Sequence, residues 1–259
     1  MADREIYETS TLGTVTDNDN IYFTGGNTPV TINLDQSGLA TGLGMVRVTK
    51  TWNADIGAVT TPFRADIDAG STPILDYQAG SGFMYFYAGG ASTTATKVRV
   101  GGNGTLVGIT GGSWTQLEVF GGNCTYAEGV TAVTAFVAGG SLKINGTAGT
   151  KPTTFVQTGG RVHNERAGTT MTISGGEHIL DAATNTITTM TQTGGVVKLR
   201  RTGTITTYNW YGGEIDVSEI SKPITFTTIN IWHTAVNAEE LLQNVLITRS
   251  TTNHVFGGN

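Results

Sequence analysis

The chain has 259 residues, a net charge of −5, 38% hydrophobic residues and only 14% charged residues, against roughly 25% charged in ordinary soluble domains. No cluster of five Lys/Arg occurs, which argues against binding driven by nucleic-acid phosphates, and no apolar run reaches the length of a membrane-spanning helix. The single cysteine, Cys124, forbids an intrachain disulfide and reads as a small strand or turn residue.

The start, Met1-Ala2-Asp3-Arg4-Glu5, is polar and lacks the basic and apolar regions of a secretory signal, so synthesis in a cytoplasm without signal-borne export is expected. Residues 1–87 read as an irregular β region, either irregular early coils, the preferred reading, or a separate small β domain, and in either case a cap for the remainder of the chain or its attachment to a larger body. Ile21-Tyr22-Phe23, Val30 to Leu34, Met45 to Val48 and the aromatic Met84-Tyr85-Phe86-Tyr87 read as strands, and Asp17 to Asn20 as a turn.

Residues 88–222 carry a repeat. Gly-Gly pairs begin at 101, 121, 139, 159, 175, 194 and 212, a mean step of 18.5 residues, with an extra pair at Gly111-Gly112. Four residues before the pairs stand Leu117, Ala135, Phe155, Met171, Met190 and Tyr208; two before stand Val119, Val137, Gln157, Ile173, Gln192 and Trp210. After the pairs come Leu142, Val162, His178, Val197 and Ile215, then, two further on, Ile144, Asn164, Leu180, Leu199 and Val217. Positions two apart share one side of a strand, so each unit reads as strand, Gly-Gly bend, strand and polar return. One unit of this length cannot bury its own apolar side, but a stack can. The expected fold is all-β: a parallel β-helix, or β-solenoid, of coils of about 18 residues with end caps. Gln157, Gln192 and Asn164 interrupt the inward columns, either as hydrogen-bonded interior amides or as changes of register. The outward columns bring Arg161 over Glu177 and Lys198 over Asp216.

Residues 223–259 form a C-terminal cap. Ile224 to Trp232 reads as a further strand pair. Ala235 to Gln243 contains the one plausible helix, starting at Ala238 behind an Asn237 cap and lying over the solenoid's open edge. Thr251 to Asn259 reads as a loose tail or an oligomer contact.

No metal-ligand spacing, nucleophile elbow or phosphate loop is present, and no metal or cofactor is expected. An enzymatic alternative, a polysaccharide-degrading glycoside hydrolase or lyase, needs two carboxylates on one surface; the candidates are Glu177, Glu214, Asp181 and Asp216. Glu177 and Glu214 share a column two coils apart, or about 9.6 Å at the usual strand spacing. For a binding role the candidates are Trp114, set to face outward or to pack near Tyr85 to Tyr87, and the outward Arg161 and His163. Trp52, Trp210 and Trp232 are further aromatic candidates, with Trp210 in the apolar column.

Thr-rich strand, Gly-Gly, apolar strand over residues 100–220 resembles two groups: the passenger repeats of bacterial autotransporter adhesins, and the β-solenoid parts of bacteriophage fibres, spikes and capsid-associated proteins. The export signal and C-terminal membrane barrel of autotransporters have no counterpart in this sequence, so the phage resemblance is the better one. It implies a virion structural protein of the head-fibre, decoration or spike type, resident in the virion, with capsid or tail proteins of the same virus as partners. It also implies a homotrimer and binding to cell-surface carbohydrate, with no nucleic acid and no membrane. A bacterial surface adhesin is the second alternative.

Overall fold

The computed structural model describes residues 2–36, 38–39, 42–65, 74–88, 97–108, 113–126, 131–146, 151–181, 186–232, 234–236 and 238–255. It is an all-β parallel solenoid of about 11 turns, each advancing about 20 residues. The chain forms two compact units, Met1–Val133 and Thr134–Asn259.

The first unit contains β1 (Asp3–Ile6), β2 (Asn20–Phe23), β3 (Asp35–Gln36), β4 (Met45–Val48), β5 (Phe63–Ala65), β6 (Ile74–Tyr77), β7 (Phe83–Ala88), β8 (Lys97–Val100), β9 (Thr105–Gly108), β10 (Ser113–Val119) and β11 (Asn123–Tyr126). Strands β1-β2-β4-β6-β8-β10 follow one another in one parallel sheet, and β3-β5-β7-β9-β11 in a second. Coiling therefore begins at Asp3, well before the Gly-Gly spacing becomes regular. The core between the sheets is aromatic. Phe23, Trp52, Phe63, Phe86 and Trp114 form a chain of rings with successive contacts at 5.4 Å for Trp52–Phe23, 6.2 Å for Phe23–Phe63, 6.3 Å for Phe63–Phe86 and 6.3 Å for Phe86–Trp114. All five are buried.

The second unit begins within β12 (Thr131–Val137). It continues through β13 (Ser141–Ile144), β14 (Thr154–Gln157), β15 (Arg161–Asn164), β16 (Thr170–Ile173), β17 (Glu177–Leu180), β18 (Ile187–Gln192), β19 (Val196–Leu199), β20 (Gly203–Trp210), β21 (Gly213–Asp216), β22 (Ile224–Trp232), β23 (Ala235–Val236), α1 (Ala238–Gln243) and β24 (Ile247–Val255). Even-numbered strands form one sheet and odd-numbered strands the other, in steps of one coil. The anticipated columns are the actual register: Phe155 pairs Met171, Met171 pairs Met190 and Met190 pairs Tyr208. Every residue of the four inward columns is buried.

Each regular bend has one geometry. The second glycine of each regular pair has positive φ, from 60° at Gly122 to 85° at Gly213, while no first glycine does. The extra pair Gly111-Gly112 lies outside the described residues.

The polar interruptions are interior amides in unbroken register. Gln157 Nε2 donates to the carbonyls of Gly159 (3.2 Å), Gly160 (3.2 Å) and Glu177 (3.0 Å). Its Oε1 lies 2.7 Å from His178 Nδ1. With the amide nitrogen committed to carbonyls, Oε1 must accept, so Nδ1 carries the proton. Gln192 repeats the pattern: Nε2 donates to Gly195 O (3.2 Å) and Glu214 O (2.9 Å), and Oε1 accepts from the Tyr208 hydroxyl. Asn164 Oδ1 accepts from the backbone N–H groups of Arg166 (3.0 Å) and Ala167 (2.9 Å). The two glutamines bind the bend of one coil to the strand of the next, which an apolar side chain cannot do.

The C-terminal region differs from expectation in two ways. Ile224–Trp232 is one long strand, not a pair, because it pairs continuously with β20 and β24 on its two edges. Thr251 to Val255 belong to β24 and are no tail. Register carries Ile205 and Phe226 to Arg249, Tyr208 and Ile229 to Thr252, and Trp210 and Ile231 to His254. At the last coil the inward positions thus turn polar. The helix starts at Ala238, with Glu239 and Glu240 in its first turn and Leu241 buried; its anticipated cap, Asn237, lies outside the described residues.

Candidate functional site

Strand alternation sends Val162 and Asn164 inward and leaves Arg161 and His163 on the outer face of β15. Register then sets Arg161 beside Glu177 and His163 beside Ile179. Arg161 Nε lies 2.8 Å from Glu177 Oε2, as the column predicts. Lys198 does lie over Asp216 in register, as expected, but its ammonium bonds Glu177 Oε1 at 2.8 Å on the other side. Asp216 Oδ1 accepts from the Ser218 hydroxyl (2.6 Å) and backbone N–H (3.0 Å) in a tight turn. His163 Nε2 meets Asp181 Oδ2 at 3.0 Å. Ile179, in an outward column, is nevertheless buried, since it lies in register between His163 and Lys198.

This geometry sets the surroundings of the candidate carboxylates. A general acid needs a raised pKa. The Lys198 ammonium, backed by Arg161, instead holds the Glu177 carboxyl below its usual range, and the Ser218 hydroxyl and N–H do the same for Asp216. Asp181 is engaged by His163. Glu214 shares the Glu177 column, with Val196 between them. Glu177 and Asp216 are therefore both favoured in the ionised form, without a proton to donate. Glu177→Gln should cost at most about 1 kcal/mol, less in high salt, because its partners are largely solvated; urea midpoints at low and high salt check this.

Arg161 and His163 do come together. With Ser141, Leu142, Lys143 and Ile179 they line a shallow depression of 240 Å³. Trp114, the other binding candidate, does not join them. It is 1% exposed, and its ring packs 6.3 Å from Phe86; the inward apolar path of the first unit claims it, so it offers no outer platform. Trp52 and Trp210 are also buried. Trp232 is half-buried under Tyr211, with ring centroids 3.8 Å apart. Burial pushes the Cys124 thiol up to about 12, leaving it unreactive. Among the described residues no group of three His, Cys, Asp or Glu converges on a metal position.

The outer face of β7 carries what the tryptophans were expected to supply. Phe83, Tyr85 and Tyr87 alternate with the buried Met84 and Phe86, so three aromatic rings point outward from one strand. Phe83 is 44% exposed and stacks on Tyr85 at 6.1 Å, with ring planes 21° apart. The Arg64 guanidinium sits 5.0 Å over the Tyr87 ring. Alternation within Phe83–Ala88 was readable in the sequence, but not which parity faced out, because both parities are aromatic.

No family model matches the chain, and neither a curated protein nor a solved structure matches it.

Proposed function

We propose that this chain is a structural component of a virus particle, attached to capsid or tail and displaying a rigid solenoid as a fibre, spike or decoration. The supporting observation is the use to which polar side chains are put. Gln157 and Gln192 stitch bends to strands and Asn164 braces the turn that follows its own strand, while Arg161, Glu177 and Lys198 tie three successive coils together on the outside. Such groups serve rigidity and regular repetition, which a particle appendage needs. The resemblance of the Gly-Gly repeats to bacteriophage solenoids supplies the particle, and by the same analogy the assembly is a homotrimer.

The test is immunoelectron microscopy with antiserum against the purified chain. It is applied to particles released from cells carrying the gene, beside light scattering of the purified protein. Gold on heads or tails is the expected result. Label confined to the bacterial surface would replace the reading with an adhesin, and label only in the soluble fraction would remove it.

A further inference from the structure

Outward positions of a solenoid face water, and in the second unit most of them are polar, although Phe136, Val156, Ile179 and Val196 also lie in outward columns. One register column runs Thr134, Thr154, Thr170, Thr189, Thr207, Thr228, Thr251. Elsewhere on the same sheet Asn209, Asn230 and Asn253 are hydrogen-bonded in series at 2.8 Å. Against this rule the outward side of β7 is an exception, since exposing aromatic rings forgoes burial worth about 1.5–3 kcal/mol for a side chain of that size. Three rings in line on one strand call for something to cover them.

The surroundings indicate what. Phe83 pairs in register with Thr105 and Tyr85 with Val107, and the next strand places Asn123 and Thr125 alongside them. At the other edge Tyr87 pairs with Arg64, and Arg64 with Asp35. Arg64 also lines a groove of 530 Å³ with the polar Thr31, Asn33, Asp35, Thr60 and Thr61 and the apolar Leu34 and Pro62, a size within the roughly 300–1,000 Å³ of small-ligand clefts. The rings are therefore bordered mainly by hydroxyl, amide and guanidinium groups. A protein partner buries a continuous apolar centre. A pyranose chain has apolar C–H faces and a rim of hydroxyls, and needs this mixture of ring faces and polar edges.

We infer that the Phe83–Tyr85–Tyr87 strip and the adjoining Arg64 groove form a binding track for an oligosaccharide. The rings stack on sugar faces, and Arg64, Asn33 and the threonines bond hydroxyl groups in the groove. This deepens the proposed attachment role by naming the surface chemistry the particle meets, and it rests on that reading only for its biological setting.

The experiment is an array printed with bacterial O-chains, capsular polysaccharides, teichoic acids and chitin and cellulose oligomers, probed with the full chain. The variants are Tyr85→Thr, Tyr87→Ala and Arg64→Ala, with Tyr211→Ala, outside the track, as control. Tyr85→Thr installs the residue type that outward columns carry elsewhere, and thermal midpoints verify folding. At least one glycan should bind the parent chain, with at least a tenfold loss in each track variant and none in the control. Absence of any bound glycan, or binding unchanged in the variants, overturns the site. So does self-association that Tyr85→Thr abolishes, which would assign the strip to a second copy. Failure here leaves the particle-labelling result standing, so the two proposals fail separately.

Discussion

Gly122→Ala should cost about 4 kcal/mol or more, whereas Gly121→Ala, one residue earlier in the same bend, should cost about 1 kcal/mol or less. Gly122 has φ +60°, and a Cβ built on it would stand 2.7 Å from Gly101 O and 2.9 Å from Gly104 O. Both are backbone atoms of the preceding coil and cannot rotate away. Left-handed strain and a backbone clash add, and relieving either means parting two coils. At Gly121 the nearest atom is 3.4 Å away, an ordinary contact, and φ is not positive. Urea titrations of the two variants should differ by several kcal/mol, and equal stabilities would show that stacking does not set the bend.

The second large effect is one of pH. His178 is fully buried, donates from Nδ1 to Gln157 Oε1, packs edge-on to Phe155 at 5.1 Å, and has no partner at Nε2. Burial, with a lesser contribution from the nearby His163, pushes its pKa down to about 3. The unfolded chain takes up this proton below about pH 6.5 while the folded chain does not. The folded state therefore keeps its full advantage above pH 6.5 and loses it as pH falls toward 3. The loss should be about 2 kcal/mol at pH 5 and about 4 kcal/mol at pH 3. Glu177, held below its usual range, adds in the same direction at the acid end, so the comparison must be with a variant. His178→Leu, flanked in its column by Val162 and Val197, should be less stable at pH 7 but nearly flat down to pH 5. An equal slope in both proteins would place the acid sensitivity elsewhere.

The repeat was legible because stacking turns a local signal into a column. Phe155, Met171, Met190 and Tyr208 have little in common as residues, yet their shared distance from a Gly-Gly pair predicts their shared register. The bend too was readable, though only the second glycine of each pair uses the left-handed region. Before residue 88, where the regular spacing of the pairs is lost, the coils were present but unmarked, since Gly25, Gly57 and Gly82 supply the left-handed positions between strands at irregular intervals. The outer face was far less legible. Register put Lys198 over Asp216, but a long side chain can reach either neighbouring coil, and its bond to Glu177 is not a matter of register. Trp114 follows the extra pair Gly111-Gly112, halfway between two regular pairs, so the column rule did not reach it. In β7 two aromatic parities left inside and outside undecided until the core was seen to hold Phe86.

The polar register positions of the last coil also bear on how such a molecule varies over evolutionary time. The coils bearing Phe155, Met171 and Met190 offer similar apolar columns to both neighbours, so whole coils of this kind are exchangeable parts. Their number can change by duplication or loss with no redesign of the interior beyond keeping partners such as Gln157 and His178 adjacent. The coil with Arg249, Thr252 and His254 is not such a part, because a copy placed mid-stack would set a guanidinium against apolar neighbours on both sides. The number of coils is therefore free to drift where the columns are apolar, whereas the coil carrying Arg249, Thr252 and His254 is not interchangeable with them.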